Sequence, residues 1–168
     1  VMMSGDRFRP YVTRDMVGVE IGGALKNIIA IAAGISDGMG LGSNARAALI
    51  TRGLGEIARF GEALGADPQT FMGLSGMGDL VLTCTDDQSR NRRFGIALTR
   101  LGAVGNAKNA VGELVEGAST AVAVNDMAAR LEIEIPIISQ VAAILNGDSS
   151  PEDAVRKLLM RELVSEHD

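Results

Sequence analysis

The sequence predicts an all-α fold, and three observations carry that expectation. Hydrophobic residues fill 46% of the 168 positions, yet aromatics fill only 3% and tryptophan is absent. A core of Ala, Leu, Ile, Val, Met and Gly suits closely packed helices better than sheets, which favour β-branched and aromatic residues. Helix punctuation also recurs along the chain. Asp67-Pro68, Ser89 and Ser150-Pro151 read as starts, while Gly65, Gly102 and Asn146-Gly147 read as stops. Finally, the stretch from about Met16 to Ile35 is one long apolar segment. At this length a single domain with a full core is expected.

The elements follow in order. Arg7 to Thr13 reads as a short extended piece, because Phe8, Tyr11 and Val12 favour a strand and Pro10 restricts it to an edge. One isolated strand is not stable, so residues 1–14 are expected to be a residual segment of another unit. Residues 15–168 are expected to form the helical domain. Its first helix runs from about Asp15 to Ile35 and ends in the turn-rich loop Ser36 to Gly42. Ser43 or Asn44 caps the second, which ends near Leu64. Asp67-Pro68 starts a third, interrupted by Ser75-Gly76-Met77-Gly78, and Asp79 opens a short helix through about Thr83. Ser89 begins a helix that closes at Leu101-Gly102. Residues 102–117 are expected to be irregular apart from a helical turn over Asn109 to Leu114. Helices over Ala118 to Leu131, from Pro136 to Asn146 and from Ser150 onward bring the total to about seven or eight.

Composition also narrows the function. A net charge of −5 disfavours non-specific nucleic-acid binding, which needs an extended basic footprint. One cysteine and one histidine, Cys84 and His167, offer no disulfide, no zinc-site spacing and no His-based triad, so no metal is expected. No apolar run free of polar residues is long enough to span a bilayer, and the first residues lack signal-peptide character. A cytoplasmic protein is the expectation.

Four segments carry possible chemistry. Lys26 is one of only three lysines and lies inside the apolar segment, flanked at helical spacing by Gly22, Gly23, Ala30, Ala33 and Gly34. Desolvation eases deprotonation of an ammonium, which is what a general acid–base lysine needs. The plainer reading is a lysine snorkelling to water. Asp79 follows the Gly76-Met77-Gly78 turn. It is either an ordinary N-cap or a carboxylate that orients a lysine or a reacting hydroxyl, with Thr83 four residues on along the same face. Ser89-Arg90-Asn91-Arg92-Arg93 is the one dense basic cluster. At a helix start it suits an anion, and arginine adds bidentate recognition of phosphate. Helical angles point Arg92 and Arg93 away from Arg90, so at most one of them shares that task. The acidic loop Gly112 to Ala118 reads as ordinary loop polarity with capping by Ser119. Gly40-Leu41-Gly42 is not a dinucleotide fingerprint, lacking G-x-G-x-x-G after a strand.

Taken together, Gly22 to Asn27, Gly38 to Asn44, Gly76 to Leu80, Thr83-Cys84-Thr85, Ser89 to Gly95 and Val115-Glu116-Gly117 resemble the C-terminal, substrate-binding half of bacterial NAD(P)H-dependent glycerol-3-phosphate dehydrogenase. The match covers nearly the whole chain, and its ordered set of motifs is specific where each alone is weak. The resemblance implies a helical domain of the 6-phosphogluconate-dehydrogenase-like type and a Rossmann domain that lies outside this chain. It implies an enzyme that interconverts dihydroxyacetone phosphate and sn-glycerol 3-phosphate with NAD or NADP, feeding glycerophospholipid synthesis. Lys26 then matches the catalytic lysine. Asp79, Thr83, Ser89, Arg90 and Asn91 match substrate contacts, and Arg90, Leu114 and Glu116 match cofactor contacts across the cleft. The 168 residues alone are expected to be inactive, and a homodimer is possible. Two other readings remain: the helical domain of a related 3-hydroxyacid dehydrogenase, which has no need of a phosphate-binding Arg-Asn pair, and a non-catalytic helical interaction module.

Overall fold

The fold is built around one helix whose second half is buried on nearly every side. In a computed structural model describing residues 10–112 and 114–160, α1 (Met16–Gly38) keeps Ile28 through Ser36 buried without interruption. A helix hydrophobic all round must be wrapped by others, and α2 (Gly42–Ala63), α4 (Asp79–Thr85), α5 (Arg90–Leu101), α7 (Glu116–Arg130) and α8 (Pro136–Asn146) all pack on it. By length and composition α1 could cross a bilayer, which the sequence did not lead us to expect. Here its apolar surface faces other helices. The short α3 (Pro68–Phe71), α6 (Val104–Val111) and α9 (Pro151–Leu159) complete nine α-helices among the described residues, more than the expected seven or eight. No strand occurs among them. Of the expected strand at 7–13, residues 10–13 are irregular and the rest lie outside the described residues.

Local chemistry sets most helix ends where the sequence places them. Asp15 accepts from Gly18 N at 2.9 Å to cap α1, and Asp67 caps α3. The second oxygen of Asp15 accepts from Asp67 N at 3.0 Å, tying the starts of α1 and α3 together. Ser89 caps α5 through Arg92 N, Ser150 caps α9 through Asp153 N, and Gly102 ends α5 at φ 68°, a left-handed turn that glycine adopts without strain.

Four boundaries differ from expectation. The first helix continues through Ser36, Asp37 and Gly38, shortening the loop to three residues. The second begins at Gly42 with no side-chain cap, so Ser43 and Asn44 are already helical. The interruption at Ser75 to Gly78 is a turn of π-helix over Leu74–Gly78 that runs straight into α4. Within 102–117, α6 replaces the irregular stretch and buries Ala107 against its neighbours.

The tightest crossing in the core joins α1 and α5. A Cβ on Gly34 would lie 2.0 Å from Arg92 O, and one on Gly95 would lie 2.2 Å from Ile31 O. Only glycine at both positions lets the two backbones touch. One remote contact completes the frame. Glu56 of α2, 1% exposed, accepts from Ile137 N at 2.7 Å and Ile138 N at 3.1 Å. It supplies the anionic cap that Ile135 cannot give α8.

Candidate active site

Three helices, α4, α5 and α7, converge on the midpoint of α1. Lys26 projects from it half-buried, its side chain 21% exposed, and its Nζ donates to Asp79 Oδ2 in a close ion pair. The π turn determines what Asp79 does. By carrying the chain into α4 without a break, it leaves Gly78 at the N-cap position and Asp79 in the first helical turn. The carboxylate is thus used by the lysine rather than as an N-cap. Thr83, one turn on, donates from Oγ1 to the Asp79 main-chain carbonyl at 2.6 Å, with Asp79 Oδ1 at 3.4 Å.

Asn27 links this pair to the basic cluster. Its Oδ1 accepts from Asn91 Nδ2 at 3.0 Å, and its own Nδ2 reaches Gly23 O at 3.3 Å. Asn91 in turn accepts from Gly117 N at 3.0 Å, deep between α1, α5 and α7. A Cβ on Gly117 would stand 2.7 Å from Asn27 O and 2.9 Å from Asn91 Oδ1, so glycine is what admits the amide to this junction. Lys26-Asn27, Asp79, Asn91 and Gly117 therefore form one connected polar surface on an otherwise apolar core.

The remaining expected residues fall around it. Arg90 is exposed in the first turn of α5, where helix N–H groups favour an anion. The Ser89 hydroxyl accepts from Arg92 N at 3.3 Å as the N-cap. Leu114 is 72% exposed just before α7, and Glu116 is the exposed first residue of that helix. Ser119 does not cap α7. Its hydroxyl donates to Glu116 O at 3.0 Å.

Arg92 is committed to carboxylates. Only 8% exposed, it directs Nε and Nη2 to Asp37 Oδ2, both at 2.7 Å, and Nη1 to Asp87 Oδ1 at 2.6 Å. Arg46 adds Nη1 to both oxygens of Asp37, at 2.9 and 3.0 Å. Burial works against the charge on Arg92. Hydrogen bonds to Asp87 and Asp37, with the charge of both carboxylates, outweigh it and hold the guanidinium above its ordinary range. Nearby, burial pushes the Cys84 thiol up to about 12 despite the opposing pull of Arg92 and Arg46. No cluster of His, Cys, Asp and Glu suited to a metal occurs among the described residues.

Sequence reasoning names Lys26, Asp79 and Asn91 as site residues, whereas Asn27 and Gly117 enter it only as parts of motif segments and Asp37 only as part of a loop. An amide in the middle of an apolar helix was the available signal for Asn27. Nothing local marked its partner 64 residues away.

The geometry meets a consistent set of relatives. The family model described as "NAD-dependent glycerol-3-phosphate dehydrogenase C-terminus" matches residues 15–156. A glycerol-3-phosphate dehydrogenase [NAD(P)+] from Halorhodospira halophila is 59% identical over 163 residues, covering 97% of this chain and 49% of that protein. One from Shewanella amazonensis is 54% identical, covering 99% and 49%. The crystal structure of glycerol-3-phosphate dehydrogenase from Coxiella burnetii superposes with a TM-score of 0.89 at 52% identity, over 94% of this chain and 49% of that one. The Saccharomyces cerevisiae enzyme gives 0.80 at 28% identity, over 92% and 46%. The chain thus spans about half the length of the curated relatives it matches.

Proposed function

The chain belongs to the family of NAD-dependent glycerol-3-phosphate dehydrogenase C-terminal domains, and on that premise we propose that it is the substrate-binding half of such an enzyme. The reaction is the interconversion of dihydroxyacetone phosphate and sn-glycerol 3-phosphate with NADH or NADPH, in the cytoplasm and in support of glycerophospholipid synthesis. The observation that carries the reading is the connected surface itself. It sets an ammonium held by a carboxylate beside an arginine–asparagine pair at a helix start.

In this reading each side chain has a distinct task. Arg90 and the first turn of α5 hold the substrate phosphate, with Asn91 donating beside them and Ser89 at the edge. Lys26 Nζ gives a proton to the carbonyl oxygen as it becomes a hydroxyl, and takes it back in the reverse direction. Asp79 keeps the ammonium in place, and Thr83 steadies the turn that carries Asp79. The nicotinamide supplies the hydride. Leu114, Arg90 and Glu116 are exposed and would be the residues of this chain that meet the cofactor. The described residues fit the edge of such a cofactor but not its pyrophosphate, which needs a strand–glycine loop–helix unit. That unit is assigned to a Rossmann domain outside this chain.

Lys26→Ala in the full-length protein tests the proposal. Turnover of dihydroxyacetone phosphate, followed by NAD(P)H absorbance, is expected to fall about 100-fold or more. Lys26→Arg should not restore it, since guanidinium does not release a proton near neutral pH. Near-normal turnover in Lys26→Ala would return this lysine to a snorkelling role.

A further inference from the structure

We infer that Asp37 and Arg92, which lie outside the site, are positioning residues that hold the first turn of α5 in place and so the placement of Arg90 and Asn91. The inference rests on the reading of those two residues as the phosphate-binding pair.

The first ground is where the charges sit. Asp37 occupies the last turn of α1, the negative end of that helix, and Arg92 occupies the first turn of α5, the positive end. Each charge is at the helix end that disfavours its sign, at about 0.3–1 kcal/mol apiece. Helix stability therefore does not account for either residue. Their mutual contact does, and it is a full one. Both Nε and Nη2 of Arg92 meet a single Asp37 oxygen, and Asp87 and Arg46 complete the network.

The second ground is placement. α1 and α5 touch backbone to backbone at Gly34 and Gly95, and the carbonyl against Gly34 is that of Arg92 itself. One turn along α1, Gly38 lies equally close to Ile96 and Thr99, so packing already holds the two helix axes. The polar contacts act on the first turn of α5. Asn91 is tied to Asn27 on one side of Gly34 along α1, and Arg92 to Asp37 on the other. Ten residues separate Asn27 from Asp37, about 15 Å along the helix axis at 1.5 Å per residue. Two ties that diverge so widely hold that turn against sliding and rotation. Releasing the Asp37 tie lets the turn that carries Arg90 shift.

The prediction separates phosphate placement from general support of the fold. In the full-length enzyme, Asp37→Asn keeps the shape and removes the charge. It should raise KM for dihydroxyacetone phosphate about tenfold with kcat changed much less, the signature of lost uniform binding. For dihydroxyacetone, which has no phosphate, kcat/KM should stay within about twofold of wild type. Asp87→Asn removes only the exposed end of the network and should show the same pattern at a few-fold. It serves as the readout if Asp37→Asn fails to fold. Equal losses for both substrates, or no loss for either, would overturn the inference while leaving the proposed function intact. A wild-type enzyme that does not reduce dihydroxyacetone phosphate at all would overturn both.

Discussion

The two halves of α1 carry ion pairs of opposite character. Toward the N-terminus, Lys26 meets a single carboxylate, with the two side chains 21% and 35% exposed. Toward the C-terminus, Asp37 is gripped by Arg46 and by a nearly buried Arg92, which also holds Asp87. An ammonium is a compact point charge that can turn from one partner to another. A guanidinium is a planar fork that commits several donors at once. The first arrangement leaves its cation within reach of a ligand. The second spends its donors on the fold. The same helix thus places a movable charge where chemistry is expected and a fixed one where alignment is.

Mutation should separate the two, and the largest effect is expected at the fixed end. Arg92→Ala removes a nearly buried guanidinium and its hydrogen bonds to Asp37 and Asp87, leaving Asp37 to Arg46 alone, a loss of about 1.5–3 kcal/mol. Urea unfolding should show this as a lower midpoint with an unchanged slope. Lys26→Ala should cost no more than about 1 kcal/mol in the same experiment, because a partly exposed pair contributes little to stability. Its effect belongs in turnover. If Lys26→Ala were the more destabilising of the two, the division of α1 into a working half and a structural half would fail.

A smaller effect probes the packing behind the fixed pair. With its thiol pushed up to about 12 by burial, Cys84 is protonated at neutral pH and shielded. A disulfide reagent at pH 8 should label the native protein negligibly and label it fully in denaturant, since the thiolate is the reactive form. Arg92→Ala should make the thiol reactive at a rate that tracks local opening. Rapid labelling of the native wild type would mean that the junction of α4 with α1 is looser than the structure has it.

What could be read in the sequence follows from range. The caps at Asp67, Ser89 and Ser150 are bonds over two or three residues, so their residue types stand beside the helix they start. The stop at Gly102 is equally local. Features set at a distance were hidden. The cap of α8 comes from Glu56, 81 residues earlier, and nothing near Pro136 announces it. Helix α6 was missed because Gly105 and Asn106 depress its propensity, while burial of Ala107 decides in its favour. The site divides the same way. Lys26 and Asp79 stand out by residue type and setting, and of the two roles open to Asp79, N-cap or partner of a lysine, the fold selects the second across 53 residues. Gly117 and Asp37 have no unusual local setting, and the amide of Asn27 within an apolar helix does not name its partner. Their importance lies in what they touch.

The most direct test of the central claim is the coupling between Arg90 and the substrate phosphate. It is obtained from kcat/KM for dihydroxyacetone phosphate and for dihydroxyacetone, in the full-length wild-type enzyme and in Arg90→Ala. Arg90→Ala should lose roughly 2–5 kcal/mol of transition-state binding with the phosphorylated substrate, as for truncating one side of a desolvated charge pair. With dihydroxyacetone the loss should nearly vanish, because the deleted interaction is then missing from both enzymes. Equal losses with the two substrates would mean that Arg90 supports the fold or the cofactor, and the assignment of this surface as a phosphate-binding site would be contradicted.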